Sequence, residues 1–197
     1  MMFKHLVIRH NKSLYSIANE SDVPYTTVSD LFHQKTKIEN MTAKNVYKLS
    51  RSFNMSMDAF YKRCQTSLLD RSFDLDYDQF RSDVAHVLKH VGDLEFMKMM
   101  EYHDWIRCCL IEKKYVYALY MLSLYDFLKN KMGQPLDKKY EKLRSLKLKE
   151  PLFPADSYVL ESISPSYADR LKEYQIEHAY PDFLKHNIVE GDLYNVV

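Results

Sequence analysis

The sequence predicts an all-α protein, and three observations carry the prediction. Three glycines and six prolines among 197 residues are too few punctuators for a turn-dense all-β fold. Leu, Lys, Met and Tyr fill long segments whose apolar positions recur at three- and four-residue spacing. Residue types that cap helix N-termini (Ser13, Thr42, Ser56 and Ser164) stand directly ahead of those segments. With 46% hydrophobic and 28% charged residues and a net charge of +1, the composition is that of an ordinary water-soluble chain. Its length suits one large domain or two small ones.

Five helices fit into residues 1–66. The first runs from about Met2 to His10, with Phe3, Leu6 and Val7 on one side. Ser13 caps a second, Leu14 to Glu20, which buries Leu14, Ile17 and Ala18. Pro24 opens a third, where a missing backbone donor costs nothing, and Val28, Leu31 and Phe32 point inward. Thr42 caps a fourth carrying Val46, Leu49 and Phe53, which Asn54 closes. Ser56 caps a fifth containing Met57, Phe60 and Tyr61. Residues 67–79, SLLDRSFDLDYDQ, break the helical period and read as a linker. Residues 80–197 then form a larger helical domain. Helices are expected at about Phe80–His90, at Leu94–Met132 with an interruption near His103-Asp104, and at Asp137–Lys147. The segment KEPLFPADS reads as a loop, and Ser164-Pro165 starts a helix to about His178. Pro181 interrupts there, and a turn at Glu190-Gly191 leads into a short apolar tail.

Charge is unevenly spread. Residues 1–66 hold ten Lys/Arg against five Asp/Glu, whereas the remainder holds 18 against 22. A basic head on an acidic body points to a polyanionic partner for the head. Cys64, Cys108 and Cys109 are odd in number and two are adjacent, so no disulfide framework follows and a reducing cytoplasm is the expected compartment. MMFKHLVIRHNK carries charges inside its short apolar run and is no signal peptide. The most apolar window, Tyr115 to Tyr125, is about half a bilayer span and reads as a buried core helix, so no membrane partner is expected.

Leu14-Tyr15-Ser16-Ile17-Ala18, Ser21-Asp22-Val23 and Thr26-Thr27-Val28-Ser29-Asp30-Leu31 together resemble the helix-turn-helix of the Cro and lambda-repressor-like (XRE) family. The likeness continues through KNVYKLSRSFNMSMDAFYK and covers about the first third of the chain. Ala18 must be small where two helices cross, and Val23 fills the gap beneath the turn. The resemblance implies a five-helix DNA-binding domain whose third helix enters the major groove. It places Tyr25, Thr26 and Asp30 toward bases, Thr27, Ser29 and His33 toward the backbone, and Lys35 and Lys37 on phosphates. Asp30 can only accept a hydrogen bond, so a cytosine amino group is its natural counterpart. Gln34 stands where that family's loop usually has glycine, and Leu14 where it often has a polar residue. Two half-sites one helical turn apart require two heads, so a homodimer on a double-stranded operator is implied.

The second region offers weaker constellations. Asp74, Asp76 and Asp78 alternate like the start of a calcium loop, but Gln79 and Ala85 occupy the glycine and glutamate positions. His86 and His90 are four apart on a helix without an accompanying glutamate, and read as a solvated or capping pair rather than a metal site. Of Cys108 and Cys109, one packs in the core. Arg81 followed by His86 looks like the arginine–histidine motif of HEPN ribonucleases. On that resemblance the histidine would be the acid/base and the arginine would stabilise phosphate charge. The segment LDKKYEKLRSLKLKE reads as the wet face of an amphipathic helix, with nucleic-acid or acidic-partner contact as the alternative.

Tyr115, Tyr117, Tyr120 and Tyr125 circle a helix that must be covered on every side, by its own domain or by a second chain. With the tail Leu193-Tyr194-Val196-Val197, three of these tyrosines (Tyr115, Tyr117 and Tyr120) form a candidate partner-binding set. No nucleophile–base pair, phosphate loop or dinucleotide fingerprint is visible, so no enzyme, cofactor or metal is expected. The whole reads as a two-domain transcriptional repressor. A short XRE-like head on such a body is similar to the antitoxins of toxin–antitoxin pairs, which implies a cognate toxin as partner. A ligand-sensing regulator, with a pocket among Tyr and His residues, is the alternative, followed by the HEPN-like ribonuclease.

Overall fold

In the computed structural model, residues 3–65 and 75–194 are described, and every extended element among them is helical apart from one isolated bridge. The chain divides into two compact units, Met1–Asp70 and Arg71–Val197.

In the first unit the helices are α1 (Phe3–Arg9), α2 (Leu14–Ser21), α3 (Tyr25–Phe32), α4 (Ala43–Ser52) and α5 (Met57–Cys64), with a single 3-10 turn at Ile38–Asn40. Each cap acts locally. Ser13 accepts from the Ser16 amide at 3.0 Å, Thr42 from Asn45 at 3.3 Å and Ser56 from Ala59 at 3.2 Å, which relieves one orphan donor per helix start. The inward stripes meet in one core: Phe3 lies edge-on to Phe53 and Phe60, and Leu6, Ile17, Val28, Leu49 and Phe60 are fully buried. Val23 is buried beneath the α2–α3 turn, its amide donating to Ala18 O at 3.2 Å. Leu14 and Phe32, expected inside, are only half-buried.

The second unit comprises α6 (Tyr77–Val91), α7 (Asp93–His103), α8 (Trp105–Ile111), α9 (Tyr115–Lys131), α10 (Glu141–Arg144), α11 (Ala155–Ile163), α12 (Pro165–His178) and α13 (Pro181–Leu184). Its axis is α9. Residues 118–126 of that helix are all buried, covered by α7, α8, α10 and α13 of the same chain. The break expected near His103-Asp104 falls at Asp104, whose φ of 52° ends α7. A second break, at Glu112–Lys114, was not expected from the sequence; there Lys113 takes φ 59°.

Three expectations are corrected. The linker does not extend to Gln79, because Asp76 caps α6 by accepting from the Gln79 amide at 3.0 Å; residues 67–74, including Asp74 of the calcium-like run, lie outside the described residues. The helix expected over Asp137–Lys147 shrinks to a 3-10 turn and the four residues of α10, because Arg144 is drawn inward to Asp126 and the Asp137 carbonyl. The loop KEPLFPADS ends sooner than read, since its last three residues begin α11. The segment from Leu148 to Leu152 is laced to His186–Val189 by backbone bonds and one parallel bridge, Leu152 to Ile188, and the His186 ring reaches back to Leu146 O. No helix among the described residues is long and apolar enough to cross a membrane.

Candidate nucleic-acid interface

Helix α3 is fixed from behind. Val28 and Leu31 anchor it in the core at 0% and 4% exposure, so their spacing dictates which side chains face out. Tyr25 and Thr26 are exposed, while Thr27, Ser29 and Asp30 are half-buried along the flanks. His33, Lys35 and Lys37 follow, all exposed. The eight residues proposed for DNA contact therefore lie on one continuous stretch with hydroxyls leading and cations trailing. The loop is shaped by Asp30, whose carbonyl accepts from the Lys35 amide at 2.8 Å and the Thr36 amide at 3.3 Å. Gln34 sits at φ 58°, a left-handed conformation that a side chain normally avoids.

Electrostatics sharpen the surface. Of the five carboxylates in residues 1–66, three are spoken for: Glu20 pairs with Lys12, Asp22 with Lys48 and Asp58 with Lys62. The Lys48 hydrogen bond holds the Asp22 carboxyl below its ordinary range, so it stays charged and keeps that lysine occupied. Lys35, Lys37, Lys44 and Arg51 make no ion pair among the described residues, and all four are exposed. Two of these unspent cations are the loop residues after α3; Lys44, in the first turn of α4, is a third that sequence reasoning overlooked. It also missed Tyr15, 68% exposed, which with Tyr25 flanks an open depression floored by Ala18 and Val23. Its signal was a tyrosine among the polar positions of α2.

In the second unit the candidate partner set is corrected. Tyr120 and Leu193 are fully buried and offer no surface; the Tyr120 hydroxyl donates to Glu190 at 3.2 Å. Tyr117 is half-buried with its hydroxyl on Leu75 O, and Tyr194 donates to Asp93 at 2.8 Å while accepting from Lys131. Tyr115 alone of the five is exposed. Val196 and Val197 lie outside the described residues. The HEPN-like pair is not assembled either. Arg81 grips the buried Glu190 with two nitrogens, whereas His86 is exposed, so the guanidinium is already neutralised. His86 and His90 are both exposed; Cys108 and Cys109 are both buried, and burial pushes the Cys109 thiol up. An open groove of about 720 Å³ is lined by Asp78, Arg81, Asp156, Tyr174, His178 and Glu190 among others, with Tyr174 stacked on His178 at 3.9 Å.

No protein-family model matches the chain, no curated protein matches it, and no solved structure does.

Proposed function

We propose that the chain is a sequence-specific DNA-binding regulator whose first unit is a helix-turn-helix head of the lambda-repressor-like kind. One observation carries this reading: α3 keeps Tyr25 and Thr26 open to solvent with Thr27 and Ser29 half-buried beside them, followed by Lys35 and Lys37 with no carboxylate partner among the described residues. A packing role has no use for that face. A duplex supplies phosphates for the cations and base edges for the hydroxyls. The head acts in pairs on an operator, and repression follows from occupancy of a promoter. Neutralisation of a toxin in a cytoplasmic toxin–antitoxin pair extends the reading by analogy. With Tyr120 and Leu193 internal, Tyr115 is the exposed member of the partner set.

Gel shifts of the full chain against fragments of its own genome, with random duplex as competitor, test the reading. Retention of one fragment class at low salt supports it; uniform silence below about 50 mM salt, where phosphate contacts are strongest, overturns it. Relief of a neighbouring gene product's toxicity by residues 80–197 tests the antitoxin extension separately. The ligand-sensing alternative draws support from the groove at Tyr174 and His178, and expects a small molecule to shift operator affinity.

A further inference from the structure

Helices α11 and α12 form a hairpin packed chiefly on itself, with Ser157 and Ala168 buried and the Ser157 hydroxyl donating across to Gln175 Oε1 at 2.5 Å. Its outer surface is unusual for a water-facing hairpin. Val159 is 58% exposed, Ile163 73% and Tyr167 52%, with Tyr158, Tyr174 and Ile176 also exposed. Asp169, Glu173 and Glu177 follow at four-residue steps, which places them on one line along α12. All three are exposed and none has an ion-pair partner among the described residues, while Glu161 is already paired with Lys172 at 2.7 Å. Apolar area of this extent on a soluble unit marks a contact surface.

The complementary surface lies in the same unit. Where a long helix was expected, residues 136–149 run as short turns that display Lys138, Lys139, Lys142, Lys147 and Lys149, all exposed. No ion pair engages any of the five among the described residues. Leu136 and Leu146 are exposed between them, Leu146 at 52%. Phosphates would have no use for those leucines, but a protein surface carrying apolar side chains and carboxylates would.

We infer that the second unit pairs with a second copy of itself through reciprocal docking, the α11–α12 hairpin of each chain seated on the basic segment 136–149 of the other. Each copy carries both halves of the contact, so a two-fold arrangement uses both twice and closes on itself. Ile163 and Tyr167 supply apolar contact against Leu136 and Leu146, and Asp169, Glu173 and Glu177 meet the lysines. The inference deepens the dimeric reading of the head by stating which surfaces join the two chains.

Sedimentation velocity of the full chain without DNA tests it. The wild type is expected to dimerise, more tightly at low salt. The double reversal Glu173→Lys with Glu177→Lys should weaken dimerisation about tenfold, as should Lys142→Glu with Lys147→Glu, and combining all four should restore it. Ile163→Asp, at a position largely in solvent, should weaken it without changing the helical circular dichroism. A wild type monomeric throughout, the outcome if a different protein covers the hairpin, overturns the inference, as does a dimer indifferent to the reversals. Monomers that still shift a genomic fragment would fail this inference alone; a dimer obeying the reversals but silent on DNA would fail the functional reading alone.

Discussion

Thr26 and Lys35 are separated by nine positions and, on the proposed reading, by the kind of free energy each would contribute to a duplex. Lys35 is exposed and unpaired among the described residues, so on that reading its contribution would be release of a counterion from a phosphate whatever the sequence. Lys35→Ala should weaken operator and random DNA alike and reduce the slope of log affinity against log salt by about one. Thr26 sits exposed in the first turn of α3, where on the proposed reading a hydroxyl and a methyl would meet base edges. Thr26→Ala should lower operator affinity more than random-DNA affinity, leaving the salt slope unchanged; equal losses on both would remove Thr26 from the reading face. In the second unit the decisive residue is Asp126. It is fully buried in α9 and accepts from Arg144 at 2.7 and 2.8 Å and from Lys185 at 3.0 Å. Asp126→Ala leaves Arg144 without a carboxylate, while Lys185 keeps Asp182 at 3.1 Å, and should cost about 3 kcal/mol. Arg144→Ala should cost less, because Lys185 still compensates the carboxylate. Trp105 is the chain's one tryptophan and is fully buried in this unit, so its fluorescence through a urea titration reports the loss there.

Elements whose determinants are local were readable in advance. Ser13, Thr42 and Ser56 announce α2, α4 and α5 because a cap acts within three residues of itself. The outward face of α3 was readable too, since Val28 and Leu31 fix it. What escaped was set by partners far along the chain. Tyr120 looked available because Glu190, its acceptor, lies seventy residues on. The lysine-rich run after Asp137 scans as a helix, yet Arg144 is pulled to Asp126 and the run is broken. In sequence α8 and α9 run together because Lys113 enters the left-handed region with no Asn, Asp or Gly to announce it. The strap from Leu146 to Leu152 depends on one such distant partner, His186. Its Nδ1 donates to Leu146 O at 2.6 Å, while its Nε2 is buried without a partner among the described residues. Burial, with Lys185 and Arg144 adding to it and the Leu146 carbonyl and Asp126 opposing, holds the imidazole below its ordinary pKa. A folded-state pKa below the unfolded value means that the unfolded chain binds the extra proton. Stability is therefore retained above the unfolded imidazole pKa of about 6.5 and lost as pH falls beneath it. Trp105-monitored unfolding between pH 7 and 5 should show this acid loss. His186→Asn keeps a donor near the Nδ1 position and should flatten the dependence while lowering stability at pH 7. An unchanged acid slope would assign the loss to other groups.

At the scale of the whole molecule, the two units carry opposite charge balances, ten Lys/Arg against five Asp/Glu in residues 1–66 and 18 against 22 in the rest. A net charge near zero would suggest indifference to DNA, but the basic excess falls in the residues that include α3. One short helix reads few base pairs, so a single head gains little specificity and a pair on one operator gains much. Joining two heads makes the second contact intramolecular, and affinity then depends on geometry as well as chemistry. An operator with two half-sites centred about 10 bp apart presents both on one face of the duplex. Inserting about 5 bp rotates the second half-site to the far face, out of reach of a dimer holding the first. Affinity should fall about a hundredfold on that insertion and recover in large part on one of about 10 bp, which restores the phase. A titration with fluorescently labelled duplexes of the three spacings measures this directly. Affinity that ignores the inserts would mean that heads bind one at a time. Self-association of the second unit would then serve some purpose other than reading a two-fold operator.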